Sequence, residues 1–166
     1  MKYGESYESL ANRIRPYLSA KETATYNPNI YPIFWDKTIT VYNRYETTDN
    51  SIIWVRTVLA NCFVKNIGTQ KLTQEMVATS NTMRVRIPQN NLFVESKEWT
   101  PANGFTLQIG DIIVNGEVDF EIEEYTDGYT ANDLLEKYKG YCLTINQVTI
   151  DTGTYLTCPH YNVLGE

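Results

Sequence analysis

Two runs of alternating apolar and polar residues stand back to back near the start of this chain: FWDKTITVYNRY and SIIWVRTVLANCFV, with the polar ETTDN between them. In KTITVYNRY, Ile39 and Val41 fall on one side, and Thr38, Thr40 and Tyr42 on the other. A period of two sends successive side chains to opposite faces of an extended backbone, so the pattern predicts a strand with one buried face, a turn, and a second long strand. The second run is rich in β-branched and aromatic residues, and Asn61 is a candidate bulge within it. Burying an indole contributes roughly 2–3 kcal/mol, which makes Trp35 and Trp54 the expected core anchors. Nothing between Phe34 and Val64 supplies a nucleophile elbow, a phosphate loop or metal-ligand spacing.

The rest of the chain reads as more sheet with little helix. Residues 5–15, ESYESLANRIR, place Leu10 and Ile14 on one helical face, and Pro16 stops or bends that helix. Residues 21–32, KETATYNPNIYP, have two prolines and no regular period, and read as an extended arm. Residues 66–82 scatter their apolar side chains, with one weak strand over 72–77. MRVRIP, Met83 to Pro88, is a clearer strand with Arg84 and Arg86 on one face and Val85 and Ile87 on the other. Residues 89–104 read as a loop anchored by Leu92 and Phe93. In GFTLQIGDIIVNGEVDFEIEEY, Asn115-Gly116 predicts a tight hairpin, because both turn positions tolerate positive φ. YTANDLLEKYKGY predicts a short helix, with Thr130 and Asp133 as a capping box and Gly140 as a left-handed stop. A last hairpin, YCLTINQVTID with TYLTCPHYNVL, ends the sequence. The expected fold is mainly β: a small barrel or sandwich over 33–166 with a long loop over about 66–104, a helix and extended arm over 1–32, and one or two short helices.

Charge and cysteine usage narrow the function. Fourteen Lys and Arg are outnumbered by twenty Asp and Glu, for a net charge of −6. Tight nucleic-acid binding requires clustered cations, so it is not expected. The three cysteines, Cys62, Cys142 and Cys158, form no Cys-x-x-Cys pair and read as small buried hydrophobes in a reducing compartment. MKYGESYESLANRIRPYLS lacks the apolar core of a signal peptide and no apolar run is long enough to span a bilayer, so a soluble chain is expected. Thirteen tyrosines suit either wet interfaces or ordinary strand packing.

Chemistry is scarce. His160 is the only histidine; in TCPHYNV it lies beside Cys158, a conceivable nucleophile pair but one that arises easily by chance. Ligand spacing for zinc or calcium is absent, and no cofactor is expected. Between Asp111 and Glu136 there are nine acidic residues and no Lys or Arg. Glu117, Asp119, Glu121 and Glu123 alternate with Val118, Phe120 and Ile122. This reads as the solvated face of an amphipathic strand, as a like-charged face turned toward a basic partner or a passing polyanion, or as a source of paired catalytic carboxylates. Arg84 and Arg86 form a small basic spot that can pair with the acidic strand of the same chain or of a neighbour.

The motifs FWDKTITVYN (34–43), WVRTVLANCF (54–63), GDIIVNGEV (110–118) and DLLEKYKG (133–140) occur in an order that resembles small structural proteins of tailed bacteriophages. More loosely it is similar to head–tail joining proteins, the head-closure or stopper proteins of the phage neck. That resemblance implies a small β-barrel, a homo-oligomeric ring (twelvefold, or else sixfold) between portal or connector and tail, and a lumen through which DNA passes without sequence-specific contact. It also implies a virion location after assembly in the bacterial cytoplasm, a projecting loop at 69–82 or 90–103, an arm over 1–32 wrapped on a neighbour, and no catalytic residue. Two other readings stand beside it. One is a different virion part, such as a tail-completion or tail-tube-like protein. The other is a carboxylate hydrolase or sugar-binding domain, which needs acids converging on a pocket lined by Trp99 or a tyrosine cluster.

Overall fold

The computed structural model describes residues 35–73, 76–153 and 158–166, with backbone alone for 68–80. The chain divides into two units, Met1–Ile30 and Tyr31–Glu166. The helix expected over 5–15 and the arm over 21–32 lie outside the described residues.

Six antiparallel strands close a barrel in the order β1-β2-β3-β6-β5-β4, so the barrel alternative holds over the sandwich. They are β1 (Lys37–Glu46), β2 (Ile52–Thr73), β3 (Met76–Pro88), β4 (Ile112–Asn115), β5 (Cys142–Asp151) and β6 (His160–Gly165), with one described helix, α1 (Ala131–Lys137), between β4 and β5. Closure leaves no free sheet edge within the barrel itself. The period-two pattern sends Ile39, Val41, Val85, Ile87, Ile113, Leu143, Ile145 and Val163 into the interior. Phe105 and Leu107, from the connection between β3 and β4, complete this core. Gly165 permits the close approach of β6 and β5, since a Cβ there would stand 2.1 Å from the Thr144 carbonyl oxygen.

Asn61 does mark a bulge. Its φ is 58°, and β2 advances from Leu59 to Cys62 while its partner β1 steps back from Ile39 to Lys37. The capping box of Thr130 and Asp133 is present at the start of α1, and Gly140 adopts φ 85° beyond its end.

Three expectations need correction. Residues 66–73 and 76–82 do not open a long loop: β2 and β3 pair without interruption from Phe63↔Arg86 to Thr73↔Met76, so the weak strand expected over 72–77 takes in the end of one long strand and the start of the next, while MRVRIP is a strand as expected. The apolar residues of this stretch are scattered, so no period-two pattern announces its strands. The hairpin expected at Asn115-Gly116 does not form either. Gly116, at φ 123°, turns the chain out of the sheet, and residues 117–123 belong to no strand. Finally, of the two expected core anchors only Trp35 is buried, its ring centroid 5.2 Å from that of His160, whereas Trp54 is half-buried against the cluster of Tyr42 and Phe120 on the outer surface.

Candidate functional site

The segment after β4 is a strap laid over the outside of β1 and β4. The Thr40 hydroxyl donates to the Gly116 carbonyl (2.8 Å) and accepts from the Val118 amide (3.1 Å). The Tyr42 hydroxyl donates to the Phe120 carbonyl at 2.8 Å, and Arg56 Nη1 donates to the Val118 carbonyl at 2.9 Å. Trp54 Nε1 donates to Glu124 Oε1 at 2.9 Å, and the same oxygen receives the Ala131 amide that opens α1. Side chains thus supply the bonds that a ladder would have made. Beneath the strap Tyr42, Ile112, Val114, Val118, Phe120 and Leu134 form a second apolar cluster. That explains why β1 is buried on both faces although its sequence predicts one. Burial pushes the Tyr42 hydroxyl up to about 12.

Glu117, Asp119, Glu121 and Glu123 all face solvent from this strap. Their alternation with Val118, Phe120 and Ile122 is as expected, but the strand carrying it is not. Asp119 lies 3.7 Å from Arg56. Beside them is a hollow of about 320 Å³ lined by Asp119, Phe120, Glu121, Glu123, Gly128, Tyr129 and Lys137. The Lys137 ammonium stands 5.1 Å from the centre of the Phe120 ring and 5.6 Å from that of Tyr138, so the aromatic floor of this region already carries a cation.

Arg84 and Arg86 stand on the outward face of β3, paired across the ladder with Lys65 and Phe63 of β2. The Arg86 guanidinium lies 5.4 Å from the centre of the Phe63 ring. Nε of both arginines is buried without a hydrogen-bond partner, and among the described residues neither makes an ion pair.

The expected chemical pairs do not assemble. His160 Nδ1 sits 2.9 Å from the Cys158 carbonyl oxygen, and a carbonyl only accepts, so that nitrogen carries the proton and engages backbone rather than a thiol. Its Nε2 is 3.7 Å from Asp151. Trp99 is buried, and its indole is tied to the Gly104 carbonyl at 3.0 Å. The hollow it borders, about 220 Å³, includes one carboxylate, Glu46, where hydrolysis of a glycoside needs two. Among the described residues no group of three His, Cys, Asp or Glu is placed to hold a metal ion. No described helix is long and apolar enough to cross a membrane.

One polar constellation was missed from sequence. Asp111 is fully buried and accepts hydrogen bonds from Asn43 Nδ2 (2.7 Å), the Arg44 amide (2.9 Å) and the Gln108 amide (3.0 Å). Asn43 also donates to the Thr106 carbonyl at 2.7 Å. Burial raises the Asp111 carboxyl to about 6 against the pull of these donors. Asn43 continues the inward register of Ile39 and Val41, and a polar residue at that position was the available signal. The network fixes the β3–β4 connection to β1.

No curated protein and no solved structure matches this chain. A family model does match, over residues 34–166, and spans every strand of the barrel. The chain belongs to that family, DUF6751, a family of unknown function.

Proposed function

We propose that this protein is a structural component of a bacteriophage neck, a subunit of a ring between portal and tail that closes the head and lets DNA pass. The observation that carries the reading is the ribbon formed by β2 and β3. Within the barrel each strand has two neighbours, but from Ile67 to Thr73 and from Met76 to Thr82 the two strands pair only with each other among the described residues. A two-stranded ribbon is marginal in water by itself, and its open edges invite pairing with another chain. Such an extension has no role within the barrel and suits a subunit whose surroundings are other subunits. Of the two loops that the phage resemblance offers for the channel, the ribbon over 69–82 is the better candidate. The segment 90–103 is folded back on the barrel through the buried Trp99 and the Phe105–Val94 hydrogen bond.

Three carboxylates, Asp119, Glu121 and Glu123, do gather at the strap hollow beside Tyr129, but all three face solvent, which suits a contact surface better than a catalytic pocket. A net charge of −6 fits a conduit that polyanionic DNA slides through without release of counterions. Portal and tail proteins are the proposed neighbours, and the virion the proposed location. Averaged electron micrographs of the chain mixed with a candidate portal complex test this. A ring of added density on the tail-proximal end of the portal is expected. A portal that stays bare, or added density only at the distal end of a tail, contradicts it and favours the tail-completion alternative.

A further inference from the structure

The acidic and basic features occupy opposite walls of the barrel. Around the order β1-β2-β3-β6-β5-β4, strand β3 is three steps from β4, and β6 three steps from β1. The strap with Glu117, Asp119, Glu121 and Glu123 covers the β1–β4 side, and Arg84 and Arg86 project from the β3–β6 side. One chain therefore cannot pair them; the barrel stands between.

We infer that the outer wall of β2, β3 and β6 is the docking surface for the acidic strap of a second copy of this chain. The inference rests on the self-assembly reading above and deepens it by naming the two contacting faces. Lys65, Arg84 and Arg86 bring three cations that make no ion pair among the described residues. Facing them would be four exposed carboxylates, of which only Asp119 makes an ion pair among the described residues. The basic wall has Phe63 and Leu164 half-buried beside its arginines, and the strap wall leaves Tyr125 and Tyr129 about two-thirds exposed. Arginine and tyrosine are the residue types that interfaces favour.

The two faces differ, so the contact is head-to-tail and propagates from copy to copy, giving a ring where the rotation between copies closes and a filament where it does not. Faces on opposite walls disfavour closure by two or three copies. The acidic strap is then spent on the subunit contact and does not line the lumen.

The test uses the full chain and its mass distribution by sedimentation velocity in about 50 mM and about 500 mM salt. Wild type is expected to associate at low salt and to loosen at high salt. A variant with Arg84→Glu and Arg86→Glu has two acidic faces; a variant with Glu117→Lys, Glu121→Lys and Glu123→Lys has two basic ones. Each alone is expected to associate at least about tenfold more weakly than wild type. Mixed, they restore assembly, because each then meets a complementary wall, and that rescue shows that both are folded. Variants that assemble as wild type does, or a mixture that stays dissociated, overturn the assignment of faces while leaving self-assembly in place. A wild-type chain that is monomeric at every concentration removes both.

Discussion

The two outer walls of the barrel make the most instructive contrast in this molecule. The β1–β4 wall is covered from within the chain: a strap and a helix bury Tyr42, Val114 and Phe120 and satisfy their polar neighbours. The β3–β6 wall has the same alternating strands but, among the described residues, no strap, and its arginines keep buried Nε donors without partners. One wall is finished by folding, and the other is left with bonding capacity. Mutations on the first should cost stability, and mutations on the second should cost association, and this difference can be measured position by position.

The largest effect is expected at Phe120, buried between Tyr42, Tyr129 and α1. Phe120→Ala leaves a cavity under the strap and should destabilise by about 3–5 kcal/mol in urea titration. A value under 1 kcal/mol would mean that the strap is not part of the folded unit, and the contrast between walls would collapse.

The next effect comes from pH. Asp111 titrates near 3.8 in an unfolded chain and at about 6 when buried, so the folded state holds the proton more firmly. Its contribution is fully present below pH 4 and is lost as pH rises through 6, on the order of 3 kcal/mol. The matched measurement is the difference in stability between wild type and Asp111→Asn across this range. The variant loses the slope, and it is also weaker overall because an amide nitrogen replaces an oxygen that accepts one or two of the three hydrogen bonds. Parallel curves for the two proteins would show that the carboxylate does not change its protonation there.

Tyr42→Phe removes the hydroxyl that holds the Phe120 carbonyl and should cost about 1 kcal/mol with little change in packing. Smallest of all, Arg84→Ala on the bare wall should shift stability by no more than about 0.5 kcal/mol while weakening self-association. If Arg84→Ala instead unfolds the chain, that wall is a structural face and the distinction drawn here is blunted.

The sequence disclosed the fold where each strand could be judged by its own pattern. Ile39 and Val41, or Val85 and Ile87, announce their burial by simple alternation, and Thr130 and Asp133 announce a helix start through local hydrogen bonding. It misled where an element is defined by what it packs on. Val118, Phe120 and Ile122 alternate as a strand does, yet their backbone is held by Thr40, Tyr42 and Arg56 from distant parts of the chain. The ribbon beyond Asn66 was illegible because it has no apolar face of its own to declare. The candidate surfaces were legible as charge, since Arg84, Arg86 and the four acids were all identified, but not as geometry. Only the closed barrel shows that they cannot meet within one chain.

The central claim is that this chain works by closing a ring of its own copies. Native mass spectrometry of the full chain across a concentration series, alone and with a candidate portal ring, addresses it most directly. The account predicts a passage from the 19.1 kDa monomer to a single closed multiple of that mass. A monomer at every concentration, in both the presence and the absence of the portal, would contradict it.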